Sequence, residues 1–418
     1  MNNSSIRTLV ITSKLPYPLS GGAAIRNWQN ITHLAKYGSV GICYICVGSK
    51  DSTVVLDELP EISFLSTHVV EKPALLNRIW YRLRAYSWWI TRSGTLTDVH
   101  YSPLVEKELN QILNDFNPEL VVFEEVWLYC YLQVFKDHNC RIIYDAHNVE
   151  SLLFKELYQT LSSNSIKGRF DNWFHINSIA AMEESFVRQA DQIWACSNRD
   201  AQLLQALNPN LDIKVVPNGV NVTHYDSILK KNYSRSTPLS HEHYTIIFTA
   251  TFSYAPNAVA VELLINKIFP RLQAICPSCR LLLVGSGVTS FMQNAAEHNP
   301  NIVVTGRVPD VLPYLADASI AVVPLLQGGG TRIKILEAFA AGLPVVSTSK
   351  GAEGIDAEDG VHLLIRNEVE EIVQGIVQLW SEPEIRTKLI HNAHQLVNFR
   401  YSWETASQAI SQGIGDLF

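Results

Sequence analysis

Short, nearly all-apolar runs alternate with longer helix-patterned stretches along almost the whole chain, and the series occurs twice. The first series comprises IRTLVITSK, helix-like IRNWQNITHLAKYG, VGICYICVG, helix-like LVEKELNQILNDF, PELVVFEE, RIIYDAHN, a long helical stretch around SIAAMEESFVRQA, DQIWACS, helix-like NRDAQLLQAL and IKVVPNG. Strands without a polar face must be covered on both sides, and intervening helices do this, so the pattern predicts a parallel α/β sheet. The segment THYDSILKKNYSRSTPLSHEHY has few large apolar residues and reads as an irregular connection. The alternation then restarts with YTIIFTAT, RLLLVGSG, NIVVTGR, ASIAVVPLL and LPVVSTS, separated by helix-like segments. Two Rossmann-like, doubly wound domains are expected, with the boundary near Pro217 to Asn221. Residues 1–218 would form the first domain and 219–398 the second. A helix over 399–418 follows, for which a return to the first domain is one placement. Open α/β sheets bind ligands beyond the carboxyl ends of their strands, so two facing domains predict a cleft there.

Composition narrows the class. Hydrophobic residues make up 47% of the 418 and charged residues 17%, enough apolar material for two cores and too little charge for a disordered chain. The net charge of -7 argues against a general nucleic-acid binder. The apolar run near the start is too short for a secretory leader, and no run is long enough to span a bilayer. A cytoplasmic location is expected. Seven cysteines then read as reduced thiols. Cys276 and Cys279, in CPSC, have the spacing of a redox or zinc half-site, but one such pair is weak evidence beside an ordinary turn.

The densest chemistry lies in PLLQGGGTRIKILEAFAAGLPVVST. An apolar run meets Gly328, Gly329 and Gly330, then Thr331, and a helical pattern begins at once. Glycines let backbone approach a ligand closely, and the free N–H groups of a helix start bind anions. Arg332 and Lys334 add two cations, although a separation of two cannot place both on one helix face. Glu337, about one and a half turns into the helix, could accept hydrogen bonds from ribose hydroxyls. The combination suits the diphosphate and ribose of a nucleotide; a strand-to-helix turn with surface charges would show the same residues.

The segment resembles the C-terminal signature of retaining family-four glycosyltransferases of the GT-B fold, specifically the subgroup written GGGTRxKxLEA. Two glutamates separated by seven residues bracket this loop in the family. The second maps onto Glu337, whereas the first falls on Gly329, so a sugar contact borrowed from the standard motif is in doubt. SKLPYPLSGGAAIRNW, YDAHNVES, ACSNRDAQLL, VVPNGVN, FTATFSYAPNAVAVELL, LLLVGSG and VTGRVPDVLPYLADASIAVVPL match in the family's order. Many relatives carry an Arg and a Lys in the loop after the first C-terminal strand, where TATFSYAPNA has neither; Arg332 and Lys334 are expected to supply that charge.

The resemblance implies further contacts. Gly21 and Gly22 would approach the donor phosphate, Gly285 and Gly287 would line the same site, and Arg307 would lie against the base. His147 matches a histidine near the reacting sugar, with Asp145 and Glu150 as structural neighbours or acceptor-side groups. Glu124 and Glu125 end an apolar run and read either as acceptor-side groups or as a solvated pair. The segment over 72–94 sets Arg78, Arg82 and Arg84 among Trp80, Tyr81, Trp88 and Trp89, which suits an anionic membrane surface or a helix packed on the first domain. The implied reaction is retaining transfer of a hexosyl group from a nucleotide diphosphate sugar to a glycan, polysaccharide or lipid-linked hydroxyl, with no cofactor and no metal. A nucleotide-sugar 2-epimerase and a noncatalytic partner subunit are the rival readings.

Overall fold

In the computed structural model the described residues are 5–17, 21–48, 62–70, 100–160, 166–233, 244–329 and 332–418. They divide into two compact units, Met1–Val216 with Ser407–Phe418, and Pro217–Ala406.

The first unit is built on strands β1 (Thr8–Thr12), β2 (Val40–Val47), β3 (Ile62–Val70), β4 (Leu120–Phe123), β5 (Arg141–Ala146), β6 (Gln192–Ala195) and β7 (Asp212–Val215). They pair in parallel in the order β3-β2-β1-β4-β5-β6-β7. Val10 of β1 stands opposite Ile42 on one side and Val122 on the other. Successive side chains point to opposite faces. Leu9, Ile11, Val121 and Phe123 accordingly enter one core with Tyr129 and Phe135, whereas Val10, Val122, Ile143 and Trp194 enter another. Both faces are filled, which is why these strands have no polar alternation.

The second core is completed by Ile31 and Leu34 of the helix Gly22–Leu34 and by Ile410 and Ile414 of the last helix, Trp403–Leu417. The C-terminal helix does return to the first sheet. Gln192 Nε2 donates to Gly413 O at 3.1 Å, and Lys214 Nζ pairs with Asp416 at 2.6 Å.

The second unit carries β8 (Thr245–Thr249), β9 (Arg280–Val284), β10 (Ile302–Val304), β11 (Ile320–Val323), β12 (Val345–Ser347) and β13 (Leu364–Ile365), all parallel, in the order β10-β9-β8-β11-β12-β13. One contiguous core joins strand residues such as Phe248, Leu282 and Val322 to Leu336, Phe339 and Trp380. In each sheet the strand order reverses once, between β1 and β4 and between β8 and β11. Loops leaving the carboxyl ends of those two strands part there and leave room for ligands.

One expectation is corrected. THYDSILKKNY is not irregular: Val222–Tyr225 is a 3-10 turn and Asp226–Tyr233 an α-helix. A short helix needs only one apolar stripe, and Tyr225, Ile228 and Leu229 supply it at a spacing of three to four, all buried. Asn232 Nδ2 fixes its end by donating to Ala341 O at 2.9 Å. All seven cysteines are free. Cys276 and Cys279 are buried, and burial pushes the Cys279 thiol up to about 12, so it stays protonated. The basic aromatic segment over 72–94 lies outside the described residues. No helix among the described residues is long and apolar enough to cross a membrane.

A Cβ on Gly413 would lie 2.6 Å from Gln192 Oε1 and 3.1 Å from Trp194 Nε1, so the last helix approaches the sheet this closely only without a side chain. Gly413→Leu is expected to lower stability by about 1–3 kcal/mol through overpacking. Urea unfolding followed by tryptophan fluorescence measures it; an unchanged midpoint would show that the helix does not dock as described.

Candidate functional site

In the second unit, the loop leaving β11 and the helix Ile333–Ala340 place the residues singled out in the sequence. Gly328 has φ of +110°, a conformation that favours glycine, and an added Cβ would meet the Arg332 guanidinium at 3.3 Å. Gly330 and Thr331 lie outside the described residues. Arg332 is the N-cap residue, not part of the helix, and its guanidinium folds back to donate to Gly329 O. The Arg332 side chain makes no capping bond to the helix start.

Lys334 goes the other way. Its Nζ donates to Asn257 Oδ1 at 2.9 Å and sits 4.3 Å from the centre of the Phe248 ring. Asn257 is held in turn by donating to Thr251 O at 2.9 Å. The Lys334 ammonium is thereby delivered to the loop after β8. The two cations diverge because Arg332 stands just before the helix and Lys334 lies within it. Burial, and then the Arg332 charge, bring the Lys334 ammonium down to about 7. Glu337, one turn on, accepts a hydrogen bond from Tyr225 Oη at 3.3 Å, and burial pushes it up to about 7.

Gly285 and Gly287 have a packing reason to be glycine. Both have positive φ, and their Cβ atoms would lie 1.9 Å from Ala250 O and 2.6 Å from Ser253 N, so the loops after β8 and β9 meet backbone to backbone. Arg307 is exposed and makes no side-chain bond among the described residues.

The first unit holds a separate polar centre where β1, β4 and β5 end. Arg26 is 1% exposed and pairs with Asp145 through two nitrogens, Nε to Oδ2 at 2.8 Å, while Nη1 donates to Val216 O at 2.7 Å. Asn30 Nδ2 donates to the same Asp145 oxygen at 2.7 Å, and Asn27 Nδ2 to Thr12 Oγ1 at 2.9 Å. His147 Nε2 lies 3.1 Å from Glu124 Oε2 and 3.4 Å from Asp145 Oδ2.

These charges set one another. Burial acts against the Asp145 carboxylate, but Arg26 outweighs it and holds the group well below the usual carboxylate range. Burial, with Asp145 behind it, pushes Glu124 up to about 7. Burial also opposes charge on His147, yet the bonds and charges of Asp145 and Glu124 prevail and push it up to about 10. The two carboxylates thus favour the charged form of the imidazole. The ligand atoms of Glu124, Asp145 and His147 lie within 4.8 Å of one another, a spacing able to hold a metal ion. In this structure the same side chains are engaged with one another and with Arg26 and Asn30.

The reading of Glu124 and Glu125 as a solvated pair is overturned. Glu124 is fully buried within this network because it ends β4 facing Asn30 and His147, and Glu125 accepts from Ser13 Oγ. Glu150 begins the helix Glu150–Thr160, where Asn148 Nδ2 donates to it at 2.8 Å. Gly21, with φ of +109°, is the N-cap of the helix that Gly22 opens, and open space surrounds its Cβ position. Arg26, Asn27 and Asn30 escaped the sequence reading. Their signal was a polar stripe at positions i, i+1 and i+4 on the face that Ile31 and Leu34 continue into the core.

Arg26→Met leaves Asp145 buried without its partner and is expected to cost about 3–5 kcal/mol. The double variant Arg26→Met/Asp145→Leu should recover most of that loss. Thermal and urea unfolding of both measure it; equal stability of the single variant and wild type would contradict the pairing.

Comparison with known proteins assigns this architecture. The family model described as Glycosyltransferase Family 4 matches residues 68–224, and that described as Glycosyl transferases group 1 matches residues 243–382. An uncharacterized 44.6 kDa protein in the cps region of Klebsiella pneumoniae is 20% identical over 94% of this chain and 96% of its own length. An uncharacterized glycosyltransferase of Methanocaldococcus jannaschii is 28% identical over 48% of this chain and 53% of its own. Among solved structures, sucrose-phosphate synthase of Thermosynechococcus elongatus superposes with a TM-score of 0.71 at 16% identity, covering 99% of both chains. Anabaena HepE in complex with UDP superposes at 0.66 and 14% identity, covering 98% of this chain and 100% of that one. The two family matches fall one on each half of the chain and the solved structures share the fold over its whole length, which together support a glycosyltransferase of the GT-B fold.

Proposed function

We propose that the chain transfers a hexosyl group from a nucleotide diphosphate sugar to a saccharide hydroxyl, with retention of anomeric configuration. The observation that carries this is the set of groups around the β8/β11 switch point: a helix start to which Arg332 makes no capping bond, the Arg332 guanidinium on the glycine loop, the Lys334 ammonium beside the loop after β8, and the Glu337 carboxylate. The first three match a diphosphate, and Glu337, with one oxygen held by Tyr225, keeps the other for a ribose hydroxyl. The donor class is supported by HepE, whose solved complexes contain UDP, UDP with glucose, and UDP-glucose. Retention and the GGGTRxKxLEA subgroup rest on the resemblance of the loop sequence.

In this reaction the charge that develops on the leaving diphosphate falls on Arg332, Lys334 and the free N–H groups, preorganised positive groups of the kind that dominate such steps. The leaving phosphate takes the acceptor proton. The acceptor reading, a glycan or lipid-linked saccharide, draws on the cps-region setting of the Klebsiella relative and on a solved relative described as a lipopolysaccharide outer core galactosyltransferase. The segment over 72–94 would hold the protein at an anionic membrane carrying such an acceptor.

Three measurements test this. Glu337→Ala should weaken nucleoside diphosphate binding by about 10- to 100-fold, the loss of a bond to a charged group, and unchanged affinity would remove the assignment. A diphosphate raises the pKa of a neighbouring ammonium, so above pH 7 binding must draw a proton onto Lys334. Affinity for the sugar nucleotide should therefore fall as pH rises through about 7, with proton uptake seen by calorimetry in buffers of different ionisation heat. Lys334→Met should bind more weakly and show neither effect; wild-type affinity flat from pH 6 to 9 would contradict the role. Finally, co-sedimentation with phosphatidylglycerol vesicles should be strong for the intact protein and weak for an Arg78/Arg82/Arg84 triple alanine variant. Equal, negligible binding by both removes the membrane contact.

A further inference from the structure

The loop leaving β11 contains a buried amide that the fold does not use. Gln327 is 2% exposed, and neither its Nε2 nor its Oε1 has a hydrogen-bond partner among the described residues. Buried amides are ordinarily satisfied, because losing water without replacement is unfavourable. Packing alone would be served by an apolar residue, as at buried Val323 and Leu325 just before it.

The loop is held from two sides. Ser347 Oγ donates to Val323 O at 3.0 Å and Thr348 Oγ1 donates to Leu325 O, while Arg332 donates to Gly329 O. The next residue, Gly328, lies so close to Arg332 and to Pro256, in the first turn of the helix Ala255–Leu263 after β8, that an added Cβ would sit 3.3 and 3.5 Å from them. Gln327 is thus placed by a braced backbone where the β8 and β11 loops part, two residues before the position at which the family's sugar-binding carboxylate is missing.

We propose that Gln327 recognises hydroxyls of the transferred sugar in place of that carboxylate. The assignment rests on the donor reading given above. A primary amide offers donors at Nε2 and an acceptor at Oε1, matching vicinal hydroxyls that each donate and accept. It also leaves no negative charge beside the diphosphate.

The test compares the bare diphosphates UDP, GDP, ADP and dTDP with UDP-glucose, UDP-galactose, GDP-mannose, ADP-glucose and dTDP-glucose, titrated into wild type, Gln327→Ala and Gln327→Met. For the base that binds, both variants should lose about tenfold or more in affinity for the sugar conjugate and stay within about twofold of wild type for the diphosphate. Gln327→Met keeps the volume without the unsatisfied amide, so its ligand-free melting temperature should equal or exceed that of wild type. Equal losses for conjugate and diphosphate, no loss, or a lower melting temperature in Gln327→Met would overturn the assignment while leaving donor binding intact. Wild type that binds no diphosphate would instead overturn the donor reading, and this assignment with it.

Discussion

The polar centre of the first unit depends on the buried pair of Arg26 and Asp145. A guanidinium and a carboxylate this far from water persist only when paired and hydrogen-bonded, and both are: Arg26 reaches Asp145 and Val216 O, and Asp145 also receives Asn30. The first helix, the end of β5 and the end of the unit's main chain segment are tied at one point. The pair also fixes the electrical character of its neighbours, since an Asp145 that stays charged keeps His147 protonated and makes ionisation of Glu124 harder. The second unit works differently. Lys334 has an amide and an aromatic ring as partners, and burial brings its ammonium down.

The architecture was legible because a parallel sheet leaves a trace that few other folds share. Val10 and Ile11 face different cores, so neither can be polar, and the same holds along β4; along β11 all four residues are buried in the one core of the second unit. The helix Asp226–Tyr233 was not legible. Eight residues with two aliphatic side chains look like a linker until Tyr225 and the backbone of Ala341 are known to lie beside them. The destination of the last helix was likewise set by tertiary contacts, since Ile410, Gly413 and Ile414 describe an apolar stripe without naming the surface it covers.

The site was legible in part, for a related reason. Glycines before a helix, followed by Arg332, Lys334 and Glu337, announce anion chemistry through local geometry alone. The partners that aim these groups are distant in sequence: Asn257 is 77 residues from Lys334, and Tyr225 is 112 from Glu337. Glu124 looked solvated for the same reason. A glutamate at a strand end is usually wet, and only the return of β5 with Asp145 and His147, together with Asn30 from the first helix, buries it.

The return of the last helix has a consequence for the order in which the protein is made. The second unit is continuous from Pro217 to Ala406 and can complete its core as soon as that stretch has been synthesised. The first unit, although it begins the chain, lacks residues 407–418 until after every residue of the second has been added. Until then Trp194 and the neighbouring strand residues on that face miss the cover of Ile410 and Ile414. The half of the protein that emerges first is therefore the half that finishes last, and its open apolar face is the surface a nascent chain must protect while it waits.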